Sequence, residues 1–168
     1  MTDFHALYER YSQQVRRLAL FLSNDPALAD DVTSETFVRA WTTSGPIREE
    51  TVRAYLLTIA RHLVLDSMRR ARRFDVLDDQ MPDSHVNAER RAETREALRV
   101  VLAEIRDLPF IDRAALLMRA QEEMSYEEIA RTLGISLSSV KVKIHRARRR
   151  LMRSRDAGKD RADKSEER

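Results

Sequence analysis

The sequence contains no cysteine, only three glycines and four prolines, and few aromatic residues, which make up 6% of its 168 residues. The missing cysteine excludes disulfide bonds and thiolate zinc sites. The four histidines are scattered along the chain, so we predict no metal or cofactor site. Scarce glycine, proline and aromatic residues argue against a β-sandwich or β-barrel and favour an all-α protein.

Long apolar runs are also missing from the chain. None approaches the roughly 20 residues that a membrane-spanning helix needs. The N-terminus is polar and has an acidic residue at position 3, unlike a signal peptide. We therefore predict a cytoplasmic protein with no membrane insertion.

The net charge of +3 is unevenly distributed. Residues 1–73 carry 11 basic and 9 acidic side chains, residues 74–108 carry 5 and 9, and residues 109–168 carry 15 and 10. Basic ends around an acidic middle suggest two modules that face nucleic acid, joined by a segment that avoids it.

The clearest pattern runs from Ser125 to Arg153. Ser125 and Glu128 have the spacing of a capping box, Gly134 can adopt the positive φ that ends a helix, and Ser136 can cap a second helix. That second helix has an apolar stripe of Val140, Ile144, Ala147 and Leu151, and no acidic residue lies between positions 136 and 155. A helix-turn-helix with a basic second helix predicts DNA binding, with the start of that helix in the major groove. Basic amphipathic helices also bind membranes or acidic partner proteins, or are simply solvated.

Three more helices precede this motif near the N-terminus. Apolar residues recur at helical spacing from Phe4 to Leu22, Asp25 and Pro26 can begin a second helix, and a third stripe starts at Val52. Residues 44–46 form a predicted turn, and helical periodicity is lost after Phe74. The sequence thus predicts two small helical bundles joined by a flexible linker.

Three stretches resemble the extracytoplasmic-function sigma factors of bacterial RNA polymerase, which are members of the sigma-70 family. The core-binding region 2.2 resembles residues 27–41, ALADDVTSETFVRAW. The segment that contacts the promoter −10 element resembles residues 54–73, AYLLTIARHLVLDSMRRARR. Region 4 resembles residues 108–151, LPFIDRAALLMRAQEEMSYEEIARTLGISLSSVKVKIHRARRRL. The sequence departs from the family pattern at Thr33, Ser34, Tyr55 and His62.

The resemblance covers residues 3–73 and 95–153 and implies a domain organisation. Sigma region 2 would occupy residues 1–73, a linker 74–94, region 4 residues 95–154, and a disordered tail 155–168. The implied function is to bind core RNA polymerase, direct it to promoters through the −35 and −10 elements, and promote DNA melting. The implied partners are the β′ clamp coiled coil, the β flap, promoter DNA and an anti-sigma factor.

The resemblance also implies three sets of site residues. The polymerase-binding set is Asp30, Asp31, Glu35, Phe37 and Trp41. The −10 set is Tyr55, Arg61, His62, Arg69, Arg70, Arg72 and Arg73. The −35 set is Ser138, Ser139, Lys141, Lys143, His145, Arg146, Arg149 and Arg150. Within the last set we expect Ser138, Ser139 and Lys143 at base edges, and Arg146, Arg149 and Arg150 at phosphates.

Other interpretations exist for the same residues. Phe37 and Trp41 can belong to the core, and His62 can be a surface residue. A stand-alone dimeric helix-turn-helix regulator would need no polymerase. An enzyme such as a nuclease would need the acids at positions 30–35 to hold a metal, but no further ligand accompanies them.

Overall fold

The computed structural model describes residues 4–43, 51–74 and 92–166, which hold seven α-helices and no strand. In the first bundle, α1 spans Phe4–Ser23, α2 spans Pro26–Thr42 and α3 spans Val52–Phe74. In the second, α4 spans Ala92–Arg106, α5 spans Phe110–Ala120, α6 spans Tyr126–Leu133 and α7 spans Leu137–Glu166. The all-α prediction is confirmed.

Local signals in the sequence set the helix ends of the first bundle. The Asp25 carboxylate caps α2 by accepting hydrogen bonds from the backbone N–H groups of Ala27 and Leu28, at 2.9 and 3.1 Å. Pro26 follows at the first helical position, where its missing N–H costs nothing. Between α1 and α2, Asn24 adopts a φ of 56°, and its N–H donates to the Leu20 carbonyl at 2.7 Å. The predicted break between the two helices is therefore confirmed.

Two parts of the predicted organisation fall outside the described residues. The predicted turn at 44–46 is one of them, and most of the predicted linker, residues 75–91, is the other. No helix within the described ranges combines the length and the apolar character that crossing a membrane requires.

The C-terminal part of α7 differs from the sequence expectation. We predicted a disordered tail at 155–168, whereas α7 continues to Glu166. The added residues are mainly arginine, lysine, alanine and acidic residues, most of which tolerate helix well, and no proline interrupts them. Extending an existing helix needs no new nucleation, so a segment without large apolar residues can remain helical.

The two bundles pack against each other rather than lying apart. Helix α1 contacts α5 and helix α3 contacts α6, and buried apolar residues from both bundles form one continuous cluster. At this interface the Arg17 guanidinium donates two hydrogen bonds to the Glu122 carboxylate, at 3.0 and 3.2 Å. The Arg53 guanidinium donates to the Glu122 backbone carbonyl. The Thr58 hydroxyl donates mainly to the Ala54 carbonyl at 2.7 Å and shares that hydrogen with the Thr132 carbonyl at 3.3 Å, where α3 contacts α6.

Candidate nucleic-acid interface and docking surface

The turn between α6 and α7 has the predicted helix-turn-helix geometry. The Ser125 hydroxyl accepts from the Glu128 N–H at 3.1 Å, and the Glu128 carboxylate accepts from the Ser125 N–H at 2.8 Å. This backbone hydrogen bond is the main cause that lowers the pKa of Glu128. Gly134 ends α6 at a φ of 65°, and the Ser136 hydroxyl accepts from the Ser139 N–H at 3.2 Å, as expected of a cap for α7.

The first four turns of α7 have a buried and an exposed face. Val140, Ile144 and Ala147 are at most 2% exposed and anchor the helix in the second bundle. The opposite face is polar and mostly basic, because acidic residues are absent from it. Its exposed polar side chains are Ser138, Lys141, His145, Arg146, Arg148 and Arg149, and Val142 is exposed beside them.

Two of the predicted DNA-binding cations are held by carboxylates of the same bundle instead. The Lys143 ammonium donates to the Asp112 carboxylate at 3.0 Å, and the Asp112 side chain is 0% exposed. The Arg150 guanidinium donates to the Glu104 carboxylate at 2.9 Å and to the Asp107 carbonyl at 3.2 Å. The hydrogen bond from Arg150 is the largest cause that lowers the pKa of Glu104.

In α3, a buried arginine holds a histidine at the surface. Arg61 is 8% exposed, and its Nη2 lies 2.7 Å from Nε2 of the exposed His62. A guanidinium can only donate, so His62 accepts at Nε2 and carries its proton on Nδ1 in the neutral form. Burial and the neighbouring Arg61 lower the pKa of His62, against the opposing effect of Asp66.

The basic end of α3 is accessible. Arg69, Arg70 and Arg72 are all exposed, and Arg69 lies 4.0 Å from Asp66. Tyr55, earlier in α3, is partly buried and packs against the core. The side chain of Arg73 falls outside the described residues.

On α2, the three predicted acids have different environments. Asp30 pairs with Arg16 on α1 at 2.6 Å, and Glu35 pairs with Arg39 at 2.6 Å. Asp31 is exposed, and within the described side chains it has no ion pair. Its carboxylate is therefore the one among the three that a basic partner can reach without breaking an existing ion pair.

An exposed aromatic patch lies beside these acids. Trp41 is 56% exposed and makes an edge contact with Phe4, with ring centroids 5.3 Å apart. Phe4 also stacks on Tyr8, and Tyr8 lies 4.8 Å from the ring of Phe37. Phe37 itself is 1% exposed and belongs to the core, with Val38 beside it 53% exposed. We call Phe4, Tyr8, Val38 and Trp41 the aromatic patch.

Known proteins are similar to this chain along most of its length. Residues 7–74 match the family model for Sigma-70 region 2, and residues 98–151 match that for Sigma-70, region 4. The sigma factor SigL of Mycobacterium tuberculosis strain H37Rv is 33% identical over 87% of this chain and 85% of the relative. The chain belongs to the sigma-70 family. It is an RNA polymerase sigma factor of the extracytoplasmic-function type, as the sequence predicts.

Two further relatives are also described as extracytoplasmic-function sigma factors of RNA polymerase. SigM of Bacillus subtilis is 29% identical over 86% of this chain and 90% of the relative. SigE of Mycolicibacterium smegmatis is 33% identical over 90% of this chain, which spans only 61% of that relative.

Two solved structures have the same fold. CnrH, in complex with the cytosolic domain of CnrY, is 26% identical with a TM-score of 0.63, covering 92% of this chain and 88% of that chain. The sigma factor RpoE of Bartonella quintana, in complex with the anti-sigma factor NepR, has a TM-score of 0.70 at 24% identity, covering 92% and 97%.

Some residues of each predicted set of the sigma factor lie together at the surface. Others are buried, or are held in ion pairs or caps. Lys143 and Arg150 are held by carboxylates, Arg61 and Phe37 are buried, and Ser139 is half-buried in the cap of α7. Asp112 could have predicted the ion pair that holds Lys143. It is a lone acid within the apolar run of α5, and such an acid needs a cation when it is buried.

Some exposed residues of the sigma factor were not among the predicted site residues. Phe4 and Tyr8 complete the aromatic patch, although their helical spacing resembles that of core residues. Val142 lies on the exposed side of α7 and is 53% exposed. Counting residues around α7 from its buried stripe would have placed it outside the core.

Proposed function

We propose that this sigma factor binds core RNA polymerase through α2, contacts the −10 element through α3 and recognises the −35 element through α7. Region 2 corresponds to residues 1–73 and region 4 to residues 95–154. The protein has no catalytic chemistry of its own in this proposal. It acts in the cytoplasm, because the polymerase and the chromosome are located there.

The exposed face of α7 is the observation that carries the proposal. Lys141, His145, Arg146 and Arg149 lie there, opposite the buried Val140–Ile144 side. Cations along the later turns fit phosphates, whereas Ser138 in the first turn fits a base edge. Lys143 and Arg150 instead fix α7 against α4 and α5, so that the recognition face keeps one orientation.

Polymerase binding is proposed for the Asp31 side of α2. Asp31, Val38 and Trp41 follow one side of the helix at spacings of seven and three residues. An apolar centre with a charged rim is typical of protein interfaces, and the carboxylate adds steering and register. We assign the β′ clamp coiled coil to this surface and the β flap to region 4, as the family resemblance implies.

For the −10 element, Arg69, Arg70 and Arg72 are proposed phosphate ligands. His62 is proposed at the pocket for an unpaired base. In the neutral form with its proton on Nδ1, the imidazole can stack on a base and donate one hydrogen bond to its edge. Arg61 positions this ring from the buried side rather than contacting DNA.

An anti-sigma factor is proposed as a further partner. CnrH, which has the same fold, is described in complex with the cytosolic domain of CnrY. The exposed aromatic patch gives such a partner an apolar surface that it can cover in competition with polymerase.

Two single substitutions in the full-length chain test the proposal. Asp31→Ala should lower the affinity for core polymerase and leave the selected promoter sequence unchanged. Arg149→Ala should leave core affinity unchanged and lower −35-dependent run-off transcription roughly tenfold, as loss of a charged phosphate contact predicts. Equal loss of both activities in both variants indicates misfolding, which circular dichroism would detect. If the chain ignores core polymerase and binds a palindrome as a dimer, it is a stand-alone regulator instead.

A further inference from the structure

Val142 is an apolar residue on the exposed face of α7. It is 53% exposed and lies two residues from Val140 and from Ile144, both buried. Residues two apart on a helix point to opposite sides, so the Val142 side chain points away from the bundle. Valine is also less favourable in a helix than alanine, because its branched Cβ restricts χ1. Neither core packing nor helix propensity therefore explains a valine at this position.

The neighbours of Val142 belong to the proposed DNA-binding surface. Ser138 lies one turn before it, and His145 and Arg149 lie one and two turns after it, all exposed. Val142 is in the second turn of α7, and the first turns of a recognition helix are those that reach base edges. Val142 is thus an apolar side chain surrounded by polar groups, in the turns that reach base edges in a recognition helix.

The major groove offers one apolar feature at the base edges, the C5 methyl group of thymine. We infer that Val142 is a specificity-determining residue, which packs on a thymine methyl group within the −35 element. The inference rests on the proposed function of α7. A methyl group lies on only one strand of an A·T pair, so this contact distinguishes A·T from T·A at that position.

Such a contact complements the polar groups around it. The Ser138 hydroxyl can donate or accept, so it discriminates weakly between bases. The Lys143 ammonium is held by Asp112 and is not available for a bidentate contact with guanine. An apolar contact therefore adds selectivity for thymine, which the exposed polar side chains in these turns do not supply.

Removal of one methyl group from the DNA tests the inference directly. Holoenzyme made from core polymerase and the full-length chain would first select a −35 element from a duplex library. Each thymine of that element, on either strand, would then be replaced by deoxyuridine, which differs only by the methyl group. We expect about fourfold weaker binding at one position, the factor that burial of one methyl group gives, and no change elsewhere.

Protein variants complete the test. Val142→Ala should make binding insensitive to deoxyuridine at that position and should lose the A·T preference there in the library. Met152→Ala is the matched control, because Met152 is also apolar and 58% exposed but lies about 15 Å further along α7. That variant should retain the response to deoxyuridine.

Three results would overturn the inference. They are no deoxyuridine effect at any thymine, the same effect in Val142→Ala, or a selected element without an A·T pair. Failure of the proposed function looks different, because then the library yields no preferred −35 sequence and Arg149→Ala does not change binding. In that case the role of Val142 fails with it.

Discussion

The ion pair between Arg17 and Glu122 joins the two bundles, and its two side chains differ in burial. The Glu122 side chain is 2% exposed, whereas that of Arg17 is 39% exposed. Arg17→Ala would leave a buried carboxylate without its partner, and breaking a buried pair in this way costs about 3–5 kcal/mol. Glu122→Ala leaves a guanidinium that water already reaches, so the loss is nearer the ~1.5–3 kcal/mol of a charged hydrogen bond. We therefore expect Arg17→Ala to be the more destabilising change.

A double-mutant cycle by urea unfolding measures this asymmetry. In the Arg17→Ala background, adding Glu122→Ala removes the unpaired carboxylate and should restore part of the lost stability. The matched control is Arg16→Ala, which breaks the exposed pair with Asp30 and should cost at most about 1 kcal/mol. Small-angle scattering supplies a second readout, because the pair connects the bundles and both interface variants should raise the radius of gyration.

The reasoning is refuted if the two single substitutions cost the same and add in the double variant. Additivity would mean that the side chains do not interact, despite the 2.9 Å separation of their charged groups. An equal loss of stability in the two single variants would mean that the burial of Glu122 does not determine how costly it is to leave its carboxylate unpaired.

Five further substitutions separate structural from functional roles. Lys143→Ala should destabilise region 4 by about 3 kcal/mol in urea unfolding, because the buried Asp112 loses its hydrogen-bonded partner and keeps only Arg146 at 4.0 Å, and Asp112→Asn in the same chain should recover part of that loss. The pKa of Glu128 is lowered by its hydrogen bond from the N-cap backbone. The ionised carboxylate therefore stabilises the fold above an ordinary carboxylate pKa, and this stabilisation is lost as the pH falls through the lowered pKa. Glu128→Gln should therefore flatten the dependence of Tm on pH between about 5 and 3. Trp41→Ala should weaken polymerase binding with little change in Tm, whereas Phe37→Ala should lose about 3–5 kcal/mol of stability. Equal losses of Tm in the two variants would contradict the assignment of Trp41 to the surface.

The features that could be predicted from the sequence are those that depend on nearby residues. The Asp25 cap, the box formed by Ser125 and Glu128, and the positive φ of Gly134 each involve positions at most three residues apart. The buried stripe of α7 follows from helical periodicity in the same way. These local signals were sufficient for the helices and for the helix-turn-helix.

The pairing of charges could not be predicted, because it depends on packing between distant segments. Lys143 and Asp112 are 31 residues apart, and Arg17 and Glu122 are 105 apart. A basic helix offers several cations of similar spacing, and only the tertiary arrangement shows which of them meets a buried acid. The burial of Arg61 has the same origin, since charge alone suggested an exposed position.

The contact between Thr58 and Thr132 limits how far apart the two proposed DNA-binding surfaces can be. Six residues of extended chain and four of helix separate this contact from Ser138 and His62, so those residues lie at most about 35 Å apart. The −35 and −10 elements are separated by about one and a half turns of DNA, on the order of 50 Å. If His62 and Ser138 contact the two elements as proposed, a molecule in this arrangement cannot place both residues on their elements at once. Its apparent promoter affinity would then be the intrinsic affinity scaled by the fraction of molecules in which α3 and α6 have separated.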